Sequence, residues 1–337
     1  MGAKIYDVAR LAGVSPGTVS RAIHQKGYIR QETRKRVMEA VRKLDYQPNA
    51  SATRLVSGKT HILGLLVPNL LESYYVEITD AVLECAKQKS YHILLTTMRD
   101  GSANLPDFLR DGNMDGLLVV TPYYLKEELS LVSRRRFPCV MLNYAPEGTH
   151  FSAVYCDQFA LGYSAIRYLI ELGHTRIGFC TSDTNSPSPL KRLQGCLQAL
   201  RDAGLEVTSA HVRDMSQKLR KDPVQEIRDW IRSGDLPSAM FVFSDDIALY
   251  LMDALKEAGY RIPHDISILG CGNMLLSTRT IPPLTTIDQH TCEMGTRAVE
   301  LLLRLMEKPR SSPPVVEKIA PRLVIRESCQ KRTDTRC

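Results

Sequence analysis

Four residues near the N-terminus have types and spacing suited to reading hydrogen-bonding groups on another molecule. Ser15 can accept a hydrogen bond from a free backbone N–H at a helix start, and Pro16 has no N–H to lose at the first helical position. Thr18 and Arg21 stand three residues apart, so their side chains share one helix face. An outward Arg on such a helix can pair with guanine in the DNA major groove. On this spacing alone, a helical hairpin with a solvated Arg remains the alternative.

The surrounding segment predicts the helices that would position these side chains. Apolar residues recur at helix-like spacing between residues 6 and 21: Val8, Leu11, Val14 and Val19. Gly13 breaks this pattern and can supply the tight turn of a helix-turn-helix. A third helix is predicted from Gln31 to Leu44, with a stripe formed by Val37, Ala40, Val41 and Leu44, although Arg30 and Gln31 are poor capping residues. We therefore predict an all-α helix-turn-helix domain over residues 1–46.

The distribution of charge agrees with this prediction. The chain has a formal net charge of +7, but residues 1–60 carry twelve Lys or Arg against four acidic residues, a net charge of +8. The rest of the chain is therefore close to neutral. A charge run alone is usually a solvated face. Positive charge that coincides with a helix-turn-helix favours contact with the phosphate backbone of DNA.

Composition limits the class of protein. With 337 residues, 44% hydrophobic and 24% charged, the chain is long enough for more than one domain and has the composition of a globular protein. It has no run of 18 apolar residues and no apolar signal region, so we expect a cytoplasmic protein without a membrane partner. Nine dispersed cysteines without a CxxC pair argue against disulfides and zinc, so no metal and no cofactor are expected.

Beyond residue 46 the pattern changes twice. Residues 47–60 are small and polar and predict a linker, in which a short helix capped by Asn49 would place Ala52 and Leu55 on one face. From residue 61 to 337, apolar runs alternate with amphipathic helices, with strands predicted at 62–67, 92–96, 116–120, 139–142, 176–181, 239–243 and 267–270. This alternation predicts two α/β lobes with parallel sheets and a cleft lined by the carboxyl ends of the strands.

Seven segments carry a resemblance to a known family: DVARLAGVSPGTVSRAI, TRKRVMEAVRKLDYQPNASATRL, LGLLVPN, MDGLLVV, YLIELGHTRIGF, IPHDISILG and PPLTTIDQ. In this order they resemble the lac repressor / galactose repressor family of bacterial transcription regulators. The resemblance implies a helix-turn-helix, a hinge helix and a two-lobed core of the type I periplasmic-binding-protein kind. It also implies a homodimeric repressor that binds a palindromic operator under the control of a small-molecule effector.

The resemblance assigns DNA-binding positions in two segments. In the helix-turn-helix these are Tyr6, Ser15, Pro16, Gly17, Thr18 and Arg21, and in the hinge Asn49, Ala52 and Leu55. Because Pro16 and Gly17 have no hydrogen-bonding side chains, direct readout of bases should depend mainly on Thr18 and Arg21. Leu55 matches the hinge leucine that wedges between base pairs from the minor groove. A linker residue packed on the core is the alternative for Leu55.

The same resemblance assigns effector-binding positions in the cleft: Tyr74, Tyr75, Asn143, Tyr144, Arg192, Ser244, Asp245, Asn273 and Gln289. Aromatic, guanidinium, amide and carboxylate groups suit a small polar ligand, and a sugar or sugar derivative is expected. Simpler roles stay open, since a tyrosine can be core, Arg192 an ion pair and Asp245 a helix cap. One departure weakens the case for an ordinary hexose: Gly272 stands where the family commonly has an aspartate that accepts ligand hydroxyls.

Two other classes of protein are alternatives for this sequence. A solute-binding receptor for a sugar or nucleoside would share the two-lobed core, but the missing signal region and the basic N-terminal segment argue against it. An enzyme acting in the cleft would need catalytic groups. The chain has no glycine-rich phosphate loop, GxSxG or HExxH at the required place, so we expect no enzymatic activity.

Overall fold

Three helices build the described part of the first of two units into which the chain divides, Met1–Thr60. The second unit, His61–Cys337, contains two six-stranded β-sheets. The structure, a computed structural model, describes residues 3–23, 28–46, 59–98, 114–120, 126–145, 151–181, 186–206, 212–214, 223–307 and 313–332. Among the helices of these ranges, we find none with both the length and the apolar character needed to cross a membrane.

The first unit is a helix-turn-helix closed by a third helix, as predicted. Its helices are α1 (Ile5–Ala12), α2 (Pro16–Ile23) and α3 (Gln31–Lys43). Their shared core consists mainly of small side chains: Val8, Ala9, Ala12, Val19, Ala22, Val37 and Ala40. Gly13 ends α1 in the left-handed region with φ 66°, which allows the sharp turn into α2. The cap of α3 is weak as expected, because Arg30 makes no side-chain capping bond.

One residue of the predicted apolar stripe lies outside this core. The side chain of Leu11 is 52% exposed, whereas Val8 and Ala12 are buried. Because successive helix residues are rotated by about 100°, the buried face of α1 centres between Val8, Ala9 and Ala12 and leaves Leu11 at its margin. Leu11 therefore fits the apolar spacing but does not belong to the core shared by the three helices.

The second unit has the predicted two-lobed α/β architecture. The first sheet has the strand order β2-β1-β3-β4-β5-β11, with all neighbours parallel. Its strands are β1 (Ile62–Val67), β2 (His92–Thr97), β3 (Gly116–Val120), β4 (Cys139–Leu142), β5 (Ser152–Cys156) and β11 (Val316–Ile319). The helices between them are α4 (Ser73–Gln88) and α5 (Lys126–Arg134), and α10 (Thr291–Glu307) packs against this sheet and α4.

The second sheet has the order β7-β6-β8-β9-β10-β12, parallel except for β12, which pairs antiparallel with β10. Its strands are β6 (Ile177–Thr181), β7 (Val212–Asp214), β8 (Ala239–Val242), β9 (Ser267–Gly272), β10 (Thr285–Asp288) and β12 (Arg322–Val324). Its helices are α6 (Gln158–Glu171), α7 (Pro187–Asp202), α8 (Pro223–Arg232) and α9 (Asp245–Glu257), with a short 3₁₀ helix at Leu275–Thr278. All seven predicted strands are present, and the sequence analysis missed β5, β7, β10, β11 and β12.

Three segments carry the chain between the lobes and lie side by side. Asp157 follows β5, residues 289–290 follow β10, and residues 320–321 separate β11 from β12. The backbone N–H of Asp157 donates to the carbonyl of Ile319, and the Asp157 carboxylate binds Lys318 at 2.9 Å. At the second crossover Asp288 binds Arg322, also at 2.9 Å. These contacts hold the three crossovers together as the hinge region of the core.

Two glycines allow α6 and α7 to pack unusually closely. A Cβ atom on Gly162 would overlap the carbonyl oxygen of Arg192, and one on Gly195 would overlap that of Phe159. Only hydrogen atoms fit at these contacts, so the backbones of the two helices touch. This approach sets the distance between the start of α6 and the side chain of Arg192 on α7.

The helix contact predicts a large effect of one added methyl group. Gly162→Ala should lower the free energy of unfolding by about 1–3 kcal/mol, because the overlap forces α6 and α7 apart. Urea unfolding followed by circular dichroism measures this change. Gly17→Ala is the matched control, since its new Cβ would meet no atom closer than 3.9 Å. Equal stabilities of Gly162→Ala and the unmodified protein would contradict the contact.

Candidate functional site

The first turn of α2 presents a connected polar surface. The Ser15 Oγ accepts a hydrogen bond from the Thr18 N–H at 3.2 Å and lies 2.9 Å from the Thr18 Oγ1. The Arg21 Nη2 donates to the Thr18 Oγ1 at 3.4 Å, and its Nε donates to the Gly17 carbonyl at 3.4 Å. Arg21 is exposed at the end of this chain of contacts. The structure thus brings four of the predicted DNA-binding residues onto one solvent-facing helix surface.

The other predicted DNA-binding residues lie on α1, at the start of α2 and outside the described part of the chain. Tyr6 lies on α1 with 66% of its surface exposed, and Pro16 is the first residue of α2. Asn49, Ala52 and Leu55 lie outside the described residues, so their roles stay predictions.

The cleft of the second unit is organised around a buried arginine. Arg192 projects from α7, and its Nη1 donates to the Phe243 carbonyl at the end of β8 at 2.6 Å. Its guanidinium also lies 5.1 Å from the centre of the Phe243 ring. The Nη2 donates to the Gln289 Oε1 on the second crossover at 3.3 Å. Two predicted effector residues, Arg192 and Gln289, therefore meet inside the core, and the surface ion pair considered for Arg192 is excluded by its burial.

Gln158 joins this buried cluster and is absent from the residues predicted by the sequence analysis. Its Oε1 accepts from the Arg192 Nε at 3.0 Å and from the Arg192 Nη2 at 2.6 Å. Its Nε2 donates to the Gln289 Oε1 at 3.0 Å and reaches the Asn143 Oδ1 at 3.5 Å. The sequence signal for Gln158 is its place just after β5 and Asp157, and β5 is a strand absent from the prediction. Had β5 been recognised, its carboxyl end would have joined the predicted cleft.

The aromatic residues predicted for the cleft fall into two groups. Tyr74 and Tyr75 start α4 and contact each other edge to face at 5.4 Å between ring centres. Both pack partly against the main hydrophobic core, and burial raises the pKa of Tyr74 well above its ordinary value. Tyr144 instead lines a pocket of about 200 Å³ between the lobes. Its other lining residues are Asn143, Ala145, Tyr155, Asp157, Gln158, Phe159, Ser188, Lys191 and Lys318.

Asp245 has its hydrogen bonds inside the second lobe. It is 1% exposed, and its carboxylate accepts from the Thr286 hydroxyl at 2.7 Å and from the Met274 N–H at 3.0 Å. Burial raises its pKa to about 6. Ser244 is the residue before α9, but its side chain makes no capping bond. This carboxylate thus ties β9, β10 and α9 together.

Asn273 is also held by neighbours. Its Nδ2 donates to the Asp288 Oδ2 at 3.2 Å, and its Oδ1 accepts from the Arg326 Nη2 at 2.6 Å. Gly272, at the place of the missing aspartate, has φ 142° and carries no acceptor. In this structure Asn273 therefore directs its amide into the second lobe.

Two further contacts join the lobes directly across the cleft. The Ser188 hydroxyl on α7 donates to the Asn143 carbonyl after β4 at 2.9 Å. At the start of α4, Ser73 donates to the Asp246 carboxylate through its N–H at 3.0 Å and its hydroxyl at 2.6 Å. The lobes are thus held together by the protein's own polar groups.

Two family models match this chain, one in each of its two units. The model of "Bacterial regulatory proteins, lacI family" matches residues 4–49, and that of "Periplasmic binding protein-like domain" matches residues 166–329. The HTH-type transcriptional repressor PurR of Pasteurella multocida (strain Pm70) is 33% identical over 335 residues, covering 98% of this chain and 99% of the relative. PurR of Actinobacillus pleuropneumoniae serotype 3 (strain JL03) is 32% identical, covering 97% and 98%.

Two solved structures are similar over nearly the whole chain. The lac repressor dimer bound to operator and the anti-inducer ONPF has a TM-score of 0.85 and 25% identity, with 98% of this chain and 100% of that chain covered. The complex of the transcriptional regulator CelR with cellobiose has a TM-score of 0.70 and 26% identity, with 97% and 99% covered. The likeness includes both units of the chain.

The environment of Asp245 predicts a pH dependence of stability. Because its folded-state pKa lies above the value of an exposed aspartate, the folded protein binds more protons between pH 4 and 6. The free energy contributed by this residue therefore falls as the pH rises through that range, by roughly 2–3 kcal/mol. Asp245→Asn should lack this fall. Urea unfolding at pH 4.5 and 7 compares it with the exposed control Asp253→Asn, and identical pH dependence in both variants would contradict the assignment.

Proposed function

This chain belongs to the lacI family of bacterial regulatory proteins and is a DNA-binding repressor. From this premise we propose that it binds a palindromic operator as a homodimer, under the allosteric control of a small molecule in the interlobe cleft. Its relatives are repressors and not enzymes, so the catalytic alternative and the solute receptor are set aside. Since an operator is chromosomal, the proposal places the protein in the bacterial cytoplasm.

The exposed surface of α2 is the observation that carries the DNA-binding mode. Arg21 presents N–H donors to solvent next to the hydroxyl of Thr18, the pair that would contact base edges in the major groove. The excess positive charge of residues 1–60 would supply the phosphate contacts. In the hinge, Leu55 would wedge between base pairs at the operator centre, with Asn49 and Ala52 beside it.

Apolar side chains on the surface of the second unit support a homodimer. Three large apolar residues have most of their surface exposed: 80% for Leu71, 72% for Leu275 and 79% for Ile281. Contiguous patches of such exposed apolar groups are typical of protein interfaces. The similar lac repressor structure is a dimer on its operator. Two copies would present two α2 helices to half-sites about one DNA turn apart.

The cleft favours a flat, nitrogen-containing ring as effector. Arg192, Gln289 and Asn143 offer N–H donors and amide oxygens in one buried cluster, whereas Gly272 supplies no carboxylate for ligand hydroxyls. A purine-related molecule meets these requirements, and the name PurR of the relatives agrees with it. A sugar is the second candidate, favoured by the similar CelR–cellobiose complex.

Direct readout by Arg21 can be tested on DNA. Selection from randomised duplexes should yield a palindrome, and Arg21→Ala should bind it about 1–3 kcal/mol more weakly with relaxed preference at one base pair in each half-site. Fluorescence anisotropy on a panel of single-base variants measures both effects. Arg42→Ala, an exposed charge on α3, should instead weaken binding to all duplexes equally. Unchanged base discrimination by Arg21→Ala would refute the assigned role.

The effector class can be tested by thermal shift. Adenine or guanine should raise the Tm, because a ligand at about 100 times its Kd stabilises the folded state by roughly 2.7 kcal/mol. The same base should also change the affinity of the protein for its operator. Arg192→Lys, which keeps the charge but loses the planar fork, is the control and should respond weakly. A response to cellobiose and none to either base would replace the purine proposal with the sugar.

A further inference from the structure

Arg192 finds hydrogen-bond acceptors within the protein itself. Its guanidinium donates twice to the Gln158 Oε1, at 3.0 and 2.6 Å, and to the Phe243 carbonyl at 2.6 Å. Arg192 and Gln158 are both buried, with 6% and 4% of their surfaces exposed. A buried guanidinium is costly without such partners. Gln158 therefore does for Arg192 what a bound ligand would otherwise do.

The amide of Gln158 is used at both ends. While its oxygen accepts from Arg192, its Nε2 donates to the Gln289 Oε1 at 3.0 Å and reaches the Asn143 Oδ1 at 3.5 Å. The amide of Gln158 thus places an acceptor next to a donor. The acceptor faces the guanidinium of Arg192, and the donor faces the amide oxygens of Gln289 and Asn143. A lactam, the carbonyl–N–H edge of a heterocyclic ring, presents the same pair of groups.

The size and lining of the pocket between the lobes also point to Gln158. The pocket between the lobes measures about 200 Å³, below the roughly 300–1,000 Å³ typical of small-molecule sites. Gln158 is among its lining residues and Arg192 is not. A molecule in this pocket consequently reaches the guanidinium only where the Gln158 side chain gives way.

Gln158 is also placed to affect both crossovers. It is the first residue of α6, directly after Asp157, whose carboxylate accepts from the Ala160 N–H at 3.0 Å and fixes the helix start. Its partner Gln289 belongs to the second crossover. Because α6 is anchored, the Gln158 side chain can leave by rotation about its own bonds while the helix stays in place. Its departure removes the bond between the two crossovers.

We propose that Gln158 is a built-in occupant of the ligand cleft, whose amide pairs with Arg192 and links the first crossover to the second through Gln289 until an effector with a carbonyl–N–H edge displaces it. The inference rests on the proposed function in assigning an effector to this cleft. It makes Gln158 a specificity-determining residue, because a ligand without adjacent acceptor and donor does not replace the acceptor that Gln158 gives to the Arg192 Nε or the donor that it gives to the Gln289 Oε1.

Chemical complementation tests this role in the full-length protein. Gln158→Ala removes the amide and leaves room beside Arg192, so its Tm should fall by several degrees and propionamide should restore much of the loss. Gln158→Leu also lacks the amide but keeps the space filled, so propionamide should leave its Tm unchanged. Gln194→Ala, an exposed glutamine on α7, is the control for glutamine loss as such. Propanol is the control for a small solute without an amide.

The outcomes separate the inference from the function on which it rests. Rescue of Gln158→Ala alone, by propionamide and not by propanol, supports the inference. The inference is overturned if propionamide raises the Tm of the alanine, leucine and unmodified proteins equally, or if it leaves the Tm of the alanine variant unchanged. Should the alanine variant not fold, Gln158→Ser, which also lacks the amide and leaves room beside Arg192, carries the same test with acetamide.

A second readout on DNA reports the coupling. On the duplex selected by the unmodified protein, Gln158→Ala should change in affinity at least several-fold, and propionamide should reverse that change. Loss of rescue with intact operator binding contradicts only the role of Gln158. If the unmodified protein selects no duplex, the proposed function fails whatever the thermal shifts show.

Discussion

The second unit depends on keeping one buried positive charge fully hydrogen-bonded. Removing a guanidinium from water costs several kcal/mol unless acceptors replace the lost hydration. In the described part of the chain, Arg192 receives them as neutral oxygens from Gln158, Gln289 and the Phe243 backbone. These oxygens come from a helix start, a crossover and a strand end. Two elements of the second lobe and the second crossover must therefore meet at one place for the charge to be satisfied.

This requirement explains features that look unrelated in the sequence. The close contacts of Gly162 with the Arg192 backbone and of Gly195 with the Phe159 backbone bring α6 against α7, so that Gln158 reaches Arg192. Exposed ion pairs such as Asp157–Lys318 contribute little to stability by themselves. Their effect is geometric, since they fix neighbouring crossovers and confine relative motion of the lobes to a hinge. Two lobes joined by a hinge belong to the architectures in which domain closure can transmit ligand binding to distant contacts.

Local pattern predicted much of the fold, and its failures have identifiable causes. Apolar runs such as 116–120 stand out because a parallel strand covered on both faces is apolar throughout. β11 reads Val-Glu-Lys-Ile and β12 has three residues, so neither carries enough apolar sequence to be recognised. Both lie at sheet edges, where one side of the strand faces no neighbour. Leu11 fits the apolar spacing but lies at the surface, because a spacing of three alone does not fix the centre of a helix's buried face.

By itself the sequence determined the helix-turn-helix, the concentration of positive charge beside it and the alternation that produces two α/β lobes. These properties depend on neighbouring residues, since turn chemistry, periodicity and local charge act over a few positions. The tertiary structure alone decided which polar groups meet in the cleft. Gln158 lies 34 positions from Arg192 and 131 from Gln289. Their pairing depends on the path of three crossovers and on two helices in backbone contact, which no local spacing encodes.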